Sequence, residues 1–219
     1  PHEVCTHTFS HVECGELPRP AVVHDLRRAR AVHEAHGIDD LVSLVPPRHS
    51  PPPRDVLRET GIETVRVPHY RSPDFGEPKT PLHKFGSMLL GPHPVAPPHV
   101  VDGVVETYSP VYKTLAAEFL PLGEYDTHPA YRWLPLATRK RLHRRYHRRT
   151  LDRVCETGGH VHLWSHLYDV ANDHQWPQIA SLLADIGERV DRGDLEVKTM
   201  AELNADVRAE VEGPRRVRP

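Results

Sequence analysis

The sequence is poor in cysteine and has no long apolar run, and both shortages exclude classes of protein. Its 219 residues include only three cysteines, Cys5, Cys14 and Cys155, with no Cys-x-x-Cys pair. An odd number of scattered cysteines argues against a disulfide framework and favours a reducing, cytoplasmic compartment. No apolar run reaches the roughly 18 to 20 residues of a membrane helix, and no charged-then-apolar signal segment opens the chain. We therefore expect neither a secreted disulfide scaffold nor a membrane span.

An excess of charge of one sign is also lacking. The formal net charge is -2, which gives no global attraction to nucleic acids or to acidic membranes. Any partner must therefore be argued from local features. The length suits one α/β domain, which buries about two-thirds to three-quarters of the surface of its unfolded chain. We expect the basic tail, residues 213–219, to be frayed.

The spacing of apolar residues predicts an alternation of helices and strands. One predicted helix has its apolar face over residues 22–32 and stops at Gly37, and another has its apolar face over residues 176–190 and ends at Gly193. Two more cover residues 54–60 and 137–157, and a last helix begins with a capping box at Thr199 and Glu202. The predicted strands cover residues 41–45, 62–67 and 160–166, with a short one near residues 103–106. Prolines and glycines predict long loops elsewhere between residues 70 and 110. This order is typical of βα units.

Histidines are the best clue to chemistry. The chain has 18 of them, and His7 and His11 stand four residues apart near its start. Two imidazoles at this spacing can face the same way on a single helical turn, close enough to share one metal ion. A second group, His160, His162 and His166, could supply a proton. Because so many histidines produce this spacing by chance, the metal interpretation depends on the surrounding sequence.

That surrounding sequence resembles a known family. Residues 2–11 are similar to the second motif of the NodB-like polysaccharide deacetylases (carbohydrate esterase family 4), in which a strand ends in a Ser/Thr-rich His-x-x-x-His. Residues 44–48 resemble the Pro-Arg segment that follows the next strand, and residues 61–66 resemble the later glycine, strand and arginine step. Residues 158–166 resemble the last barrel strand, and residues 192–200 resemble the closing strand.

The resemblance covers nearly the whole chain and is weak between about residues 70 and 136. It implies a distorted or incomplete (β/α) barrel over residues 1–212, in which catalytic groups gather at the carboxyl ends of strands. It also implies a metal-dependent hydrolase of non-peptide C–N amide bonds, which deacetylates an N-acetylated sugar or polysaccharide. The oligomeric state is left open.

The resemblance implies a role for each candidate residue. His7 and His11 would hold a divalent ion, most simply Zn²⁺, that polarises an acetamide carbonyl and activates water. His166 would protonate the departing amine, and His162 competes for that role because it lies on the same strand face. Arg48 would orient a catalytic aspartate, or would form only a loop salt bridge.

Two further residues could form a wall of the acetyl pocket. These are Leu163 and Trp164, although an aromatic side chain in a core strand usually only packs. The family also has two aspartates on a strand before its His-x-x-x-His, one as base and one as metal ligand. This sequence has no aspartate pair before His7, and Asp39-Asp40 lies at the wrong end of a predicted strand. We therefore expect the first barrel strand to be missing through truncation, or the chain to be a catalytically degenerate glycan-binding relative.

Two other interpretations of the sequence remain. Cys5, His7, His11 and Cys14 could form a structural zinc site, although their spacing is far tighter than that of zinc fingers. The basic run over residues 139–149 could neutralise phosphates, or it could be the solvated face of a helix. We prefer the solvated face and expect no nucleic-acid partner.

Overall fold

The computed structural model describes residues 2–74, 89, 95–109, 115, 119–123 and 129–212. The chain divides into two compact units, and each is described by itself. The first comprises Pro1–Val67, Pro98–Tyr108 and Lys198–Pro219, and the second comprises Pro68–Pro97 and Ser109–Val197. The predicted basic tail and part of the predicted loop region between residues 70 and 110 lie outside the described residues.

The described part of the chain includes seven α-helices and four strands with defined bounds, and two short 3-10 helices, Pro47–His49 and His69–Arg71. The helices are α1 (Arg19–Ala35), α2 (Arg54–Glu59), α3 (Pro129–Arg132), α4 (Leu136–Thr157), α5 (Leu167–Val170), α6 (Trp176–Asp191) and α7 (Met200–Glu212). The strands are β1 (Ser43–Leu44), β2 (Thr64–Pro68), β3 (His99–Val101) and β4 (Val104–Ser109). Within these residues, no helix combines the length and the apolar character needed to cross a bilayer.

The four strands form one sheet in the order β1-β2-β4-β3. β1 and β2 are parallel, with Ser43 opposite Thr64, whereas β3 and β4 form an antiparallel hairpin. Thr6 adds a single parallel bridge beyond β1, since its N–H donates to the Ser43 carbonyl at 3.0 Å and its carbonyl accepts from Val45 at 2.9 Å. The described strands form an open, mostly parallel sheet. The α/β class is therefore confirmed, whereas closure into a barrel is not.

Both early helices of the first unit are confirmed. α1 buries Val22, Val23, Leu26 and Ala29, and α2 buries Val56 and Leu57. Each ends just before a glycine with positive φ, Gly37 at 76° and Gly61 at 73°, a conformation that costs glycine little. Val32 is 44% exposed, so the predicted apolar stripe of α1 ends at Ala29.

The second unit packs around its long helices. α4 buries Tyr146, Leu151 and Val154, as predicted, and it also buries His143 and His147. A cluster of Phe119, Leu120, Tyr131 and Tyr146 forms part of the core. α6 buries Ile179 and Leu182 but exposes Leu183 and Val190. Its inward face is therefore narrower than the apolar pattern predicted.

Two predicted strands are wrong. Residues 160–165 form no strand, and the chain then enters α5. Two backbone hydrogen bonds hold this segment: the Ala96 N–H donates to the His160 carbonyl at 3.1 Å, and the Leu115 N–H donates to the Trp164 carbonyl at 2.8 Å. Residues 192–199 likewise form a turn and irregular chain rather than a closing strand. Extended residues become a strand only when a partner supplies a continuous ladder.

Candidate functional site

His7 and His11 face each other in the first unit. Their ring centroids are 4.9 Å apart and their planes meet at 67°. His7 Nδ1 lies 2.6 Å from the Val45 carbonyl oxygen. A carbonyl can only accept, so Nδ1 carries the proton and donates it. In the neutral ring Nε2 then holds the lone pair, which is the arrangement found in histidines that bind metals.

The two rings meet on a loop, not on the helical turn that their spacing predicted. Thr8 has φ of 66° and His11 has φ of 55°, both in the left-handed region. Residues other than glycine keep this conformation only when their surroundings hold it. One such contact lies within the loop, where Thr8 Oγ1 accepts the Val12 N–H at 3.2 Å.

The buried carboxylate of Asp25, on α1, holds the same loop from outside. Its Oδ2 accepts the Phe9 N–H at 2.7 Å, and its Oδ1 accepts the Ser10 N–H at 3.0 Å. Arg28, also on α1, places its guanidinium 4.0 Å from the centre of the Phe9 ring, a cation–π contact. Asp25 is not among the residues predicted for the site, although a carboxylate inside the apolar stripe of α1 was a signal in the sequence.

Arg48 lies on the loop that follows β1. Its Nη1 is 3.2 Å from Glu13 Oε1, and its side chain is 72% exposed. The loop salt bridge, one of its two predicted alternatives, is therefore formed. Gly15 N–H also donates to Ser50 Oγ at 2.9 Å. Together with the bond from His7 to Val45, these contacts join the loop after Thr6 to the loop after β1.

The histidine pair fits a zinc-type ion as two ligands. Among the described residues, no group of three or more histidine, cysteine, aspartate or glutamate side chains could hold a metal ion. Catalytic zinc usually has three protein ligands, so this pair is one short. The four-ligand site with Cys5 and Cys14 is wrong for the same reason. Burial also raises the pKa of Cys5 to about 12 and that of Cys14 to about 11, which disfavours the thiolate that binds metals.

His166 lies in the second unit, immediately before α5. Its ring stacks on Tyr168, with centroids 4.9 Å apart and planes 8° apart, and it meets Trp164 edge-on at 5.6 Å. The fully buried Asp169 accepts the His166 backbone N–H at 3.3 Å and the Ser165 hydroxyl at 3.2 Å, both through Oδ2. The sequence analysis assigned neither Tyr168 nor Asp169 a role. These contacts orient His166 at the start of a short helix.

The structure divides the predicted site residues between the two units. The first unit holds His7, His11 and Arg48, and the second holds Leu163, Trp164 and His166. Within the first unit, the His7 and His11 rings are in contact. Within the second unit, the Trp164 ring contacts His166, and Leu163 and His162 are half-buried. Comparison of the chain with protein-family models, curated proteins and solved structures found no match.

Proposed function

We propose that this chain is the barrel-type domain of a NodB-like deacetylase, a metal-dependent hydrolase of non-peptide C–N bonds that acts on an N-acetylated sugar or polysaccharide. The observation that carries the proposal is the His7 and His11 pair, with the His7 Nδ1 proton donated to Val45. His7 directly follows the bridge at Thr6, beside the carboxyl end of β1. Sites in parallel α/β proteins lie at such strand ends.

The residues of the first unit have proposed roles in amide hydrolysis. His7 and His11 would hold the zinc-type ion, which when bound supplies Lewis-acid polarisation of the carbonyl and an activated water. As the C–N bond breaks, the water oxygen leaves in acetate and the water protons pass to the amine. Arg48 would fix the loop beside the histidine pair through its salt bridge with Glu13. The roles of His166 as proton donor and of Leu163 and Trp164 as a wall of the acetyl pocket stay predictions, since these residues lie in the second unit.

Alanine substitution of either histidine tests the proposal. We expect His7→Ala and His11→Ala to lose zinc binding in calorimetric titration and to stop acetate release from N-acetylglucosamine oligomers. His36→Ala is the matched control, because His36 is an exposed histidine whose Nδ1 also contacts a backbone carbonyl, that of Val32 at 2.8 Å. Acetate release that is unchanged in His7→Ala would refute the assignment.

A second candidate function is a glycan-binding relative without metal chemistry. It is favoured by one observation, that no third ligand joins the histidine pair within the described part of the chain. This function predicts that oligosaccharide binding survives both a chelator and His7→Ala, with no acetate released. Titrating the same oligomers with and without chelator separates the two candidates.

A further inference from the structure

α4 carries an uneven distribution of charge. Its first 14 residues, 136–149, include no acidic side chain and seven basic ones: Arg139, Lys140, Arg141, Arg144, Arg145, Arg148 and Arg149. Four of these are exposed, Arg141, Arg144, Arg145 and Arg148, and we call them the arginine face. Their spacing places them on one side of the helix. Arg148 forms a salt bridge with Asp185, in which its Nε lies 3.2 Å from Oδ2. Arg141, Arg144 and Arg145 form no ion pair with any described residue.

This placement does not stabilise the helix. Arg141 and Arg145, like Arg144 and Arg148, are like charges four residues apart, which repel. No acidic side chain lies within residues 136–149 to offset this repulsion on the helix itself. A bound anion would relieve the repulsion.

We propose that the arginine face binds an acidic polysaccharide, a polymer with repeated carboxylates. The proposal rests on the proposed function in taking the ligand to be a glycan, and it adds that the glycan is anionic. Guanidinium groups match carboxylates with two parallel hydrogen bonds, so a row of them suits a chain of uronate sugars. Trp133, three residues before α4, is 91% exposed and offers an aromatic surface for the apolar face of a sugar ring.

A nucleic acid fits this surface less well than an acidic glycan does. The aromatic and imidazole rings of α4 belong to His143, Tyr146 and His147, and all three are buried. No ring therefore lies between the exposed arginines to stack on bases, as single-stranded nucleic-acid sites require.

Binding to hyaluronan, which alternates N-acetylglucosamine with glucuronate, tests the proposal. We expect R141Q/R144Q/R145Q to weaken binding about tenfold or more at low salt and to flatten its salt dependence, because three charged contacts are lost. The triple variant R27Q/R71Q/R192Q is the control, since it removes the same charge from exposed arginines outside α4. We expect it to bind hyaluronan like the original chain. Trp133→Ala should weaken binding without changing its salt dependence.

The outcomes separate this inference from the proposed function. Hyaluronan binding that is equal in R141Q/R144Q/R145Q and the original chain would overturn the arginine face, even if neutral N-acetylglucosamine oligomers release acetate. Binding that depends on these arginines, without any acetate release, would support the arginine face as a binding site and refute the proposed deacetylase activity. An oligonucleotide of equal charge that binds more tightly than hyaluronan would assign the face to nucleic acid instead.

Discussion

At the scale of single residues, the candidate metal centre depends on a side chain that binds no metal. Asp25 accepts two successive backbone N–H groups of the loop between His7 and His11. Hydrogen bonds to a charged group contribute about 1.5 to 3 kcal/mol, which offsets the roughly 1 to 3 kcal/mol that each left-handed residue costs. The four-residue spacing of His7 and His11 predicted that the two rings lie close together, but on a helical turn and not on the loop that holds them. The role of Asp25 was not predictable from the sequence. Its partners Phe9 and Ser10 are 16 and 15 positions away along the chain, and the packing of α1 brings them together.

Replacing Asp25 with asparagine should loosen that loop. The amide keeps one accepting oxygen but turns an NH₂ group toward the other N–H donor. We expect Asp25→Asn to lower the free energy of unfolding by about 1 to 3 kcal/mol and to weaken zinc binding. Denaturant unfolding and zinc titration measure the two effects. Asp39→Asn, at an exposed carboxylate, is the control, and equal zinc affinity in both variants would contradict this role for Asp25.

At the scale of elements, the helices were predictable and the strands were less so. Helices carry their own signals, such as the capping box of α7, in which Glu202 Oε2 accepts the Thr199 N–H at 2.8 Å and Thr199 Oγ1 accepts the Glu202 N–H at 3.1 Å. A strand depends on a partner distant in sequence. Residues 160–166 have the composition of a strand, but they form none, although backbone hydrogen bonds join this segment to Ala96 and to Leu115.

Removing the cap at Thr199 should destabilise the first unit. Loss of a threonine cap typically costs about 1 kcal/mol, because one N–H at the start of the helix loses its partner. We expect Thr199→Ala to show this decrease in denaturant unfolding. Thr157→Ala is the control, because the Thr157 hydroxyl donates to the Arg153 carbonyl at the end of α4 and caps no N–H. A stability equal to that of the control would contradict the capping role.

At the scale of the whole molecule, the second unit buries polar groups along its long helix. His143 is fully buried, and its Nε2 donates to the Leu115 carbonyl at 2.8 Å. The pKa of His143 is lowered from 6.5 to about 4, chiefly by burial; the bond to Leu115 opposes this shift, and the charge of Arg144 contributes to it. The folded second unit therefore holds His143 neutral at pH values where the unfolded chain protonates it.

Acid should therefore destabilise the molecule in a defined range of pH. Between pH 6.5 and about 4 the unfolded chain binds a proton at His143 that the folded chain does not, so stability falls as the pH falls. We expect this residue to account for up to about 3 kcal/mol of the decrease. His143→Gln keeps a donor for Leu115 but does not titrate, so its stability should change less over this range. Identical pH profiles of unfolding for the two chains would contradict the prediction.

The sequence by itself determined the α/β class and most helix positions, which follow from local periodicity and from glycine and capping signals. The four-residue spacing of His7 and His11 kept them near each other, but the loop that brings their rings together depends on the tertiary structure. The tertiary structure decided which extended segments became strands, how the loops after Thr6 and β1 joined, and which side of α4 was buried with His143. Those outcomes depend on contacts between residues far apart in the chain, whose free energy comes from packing and burial that no local pattern encodes.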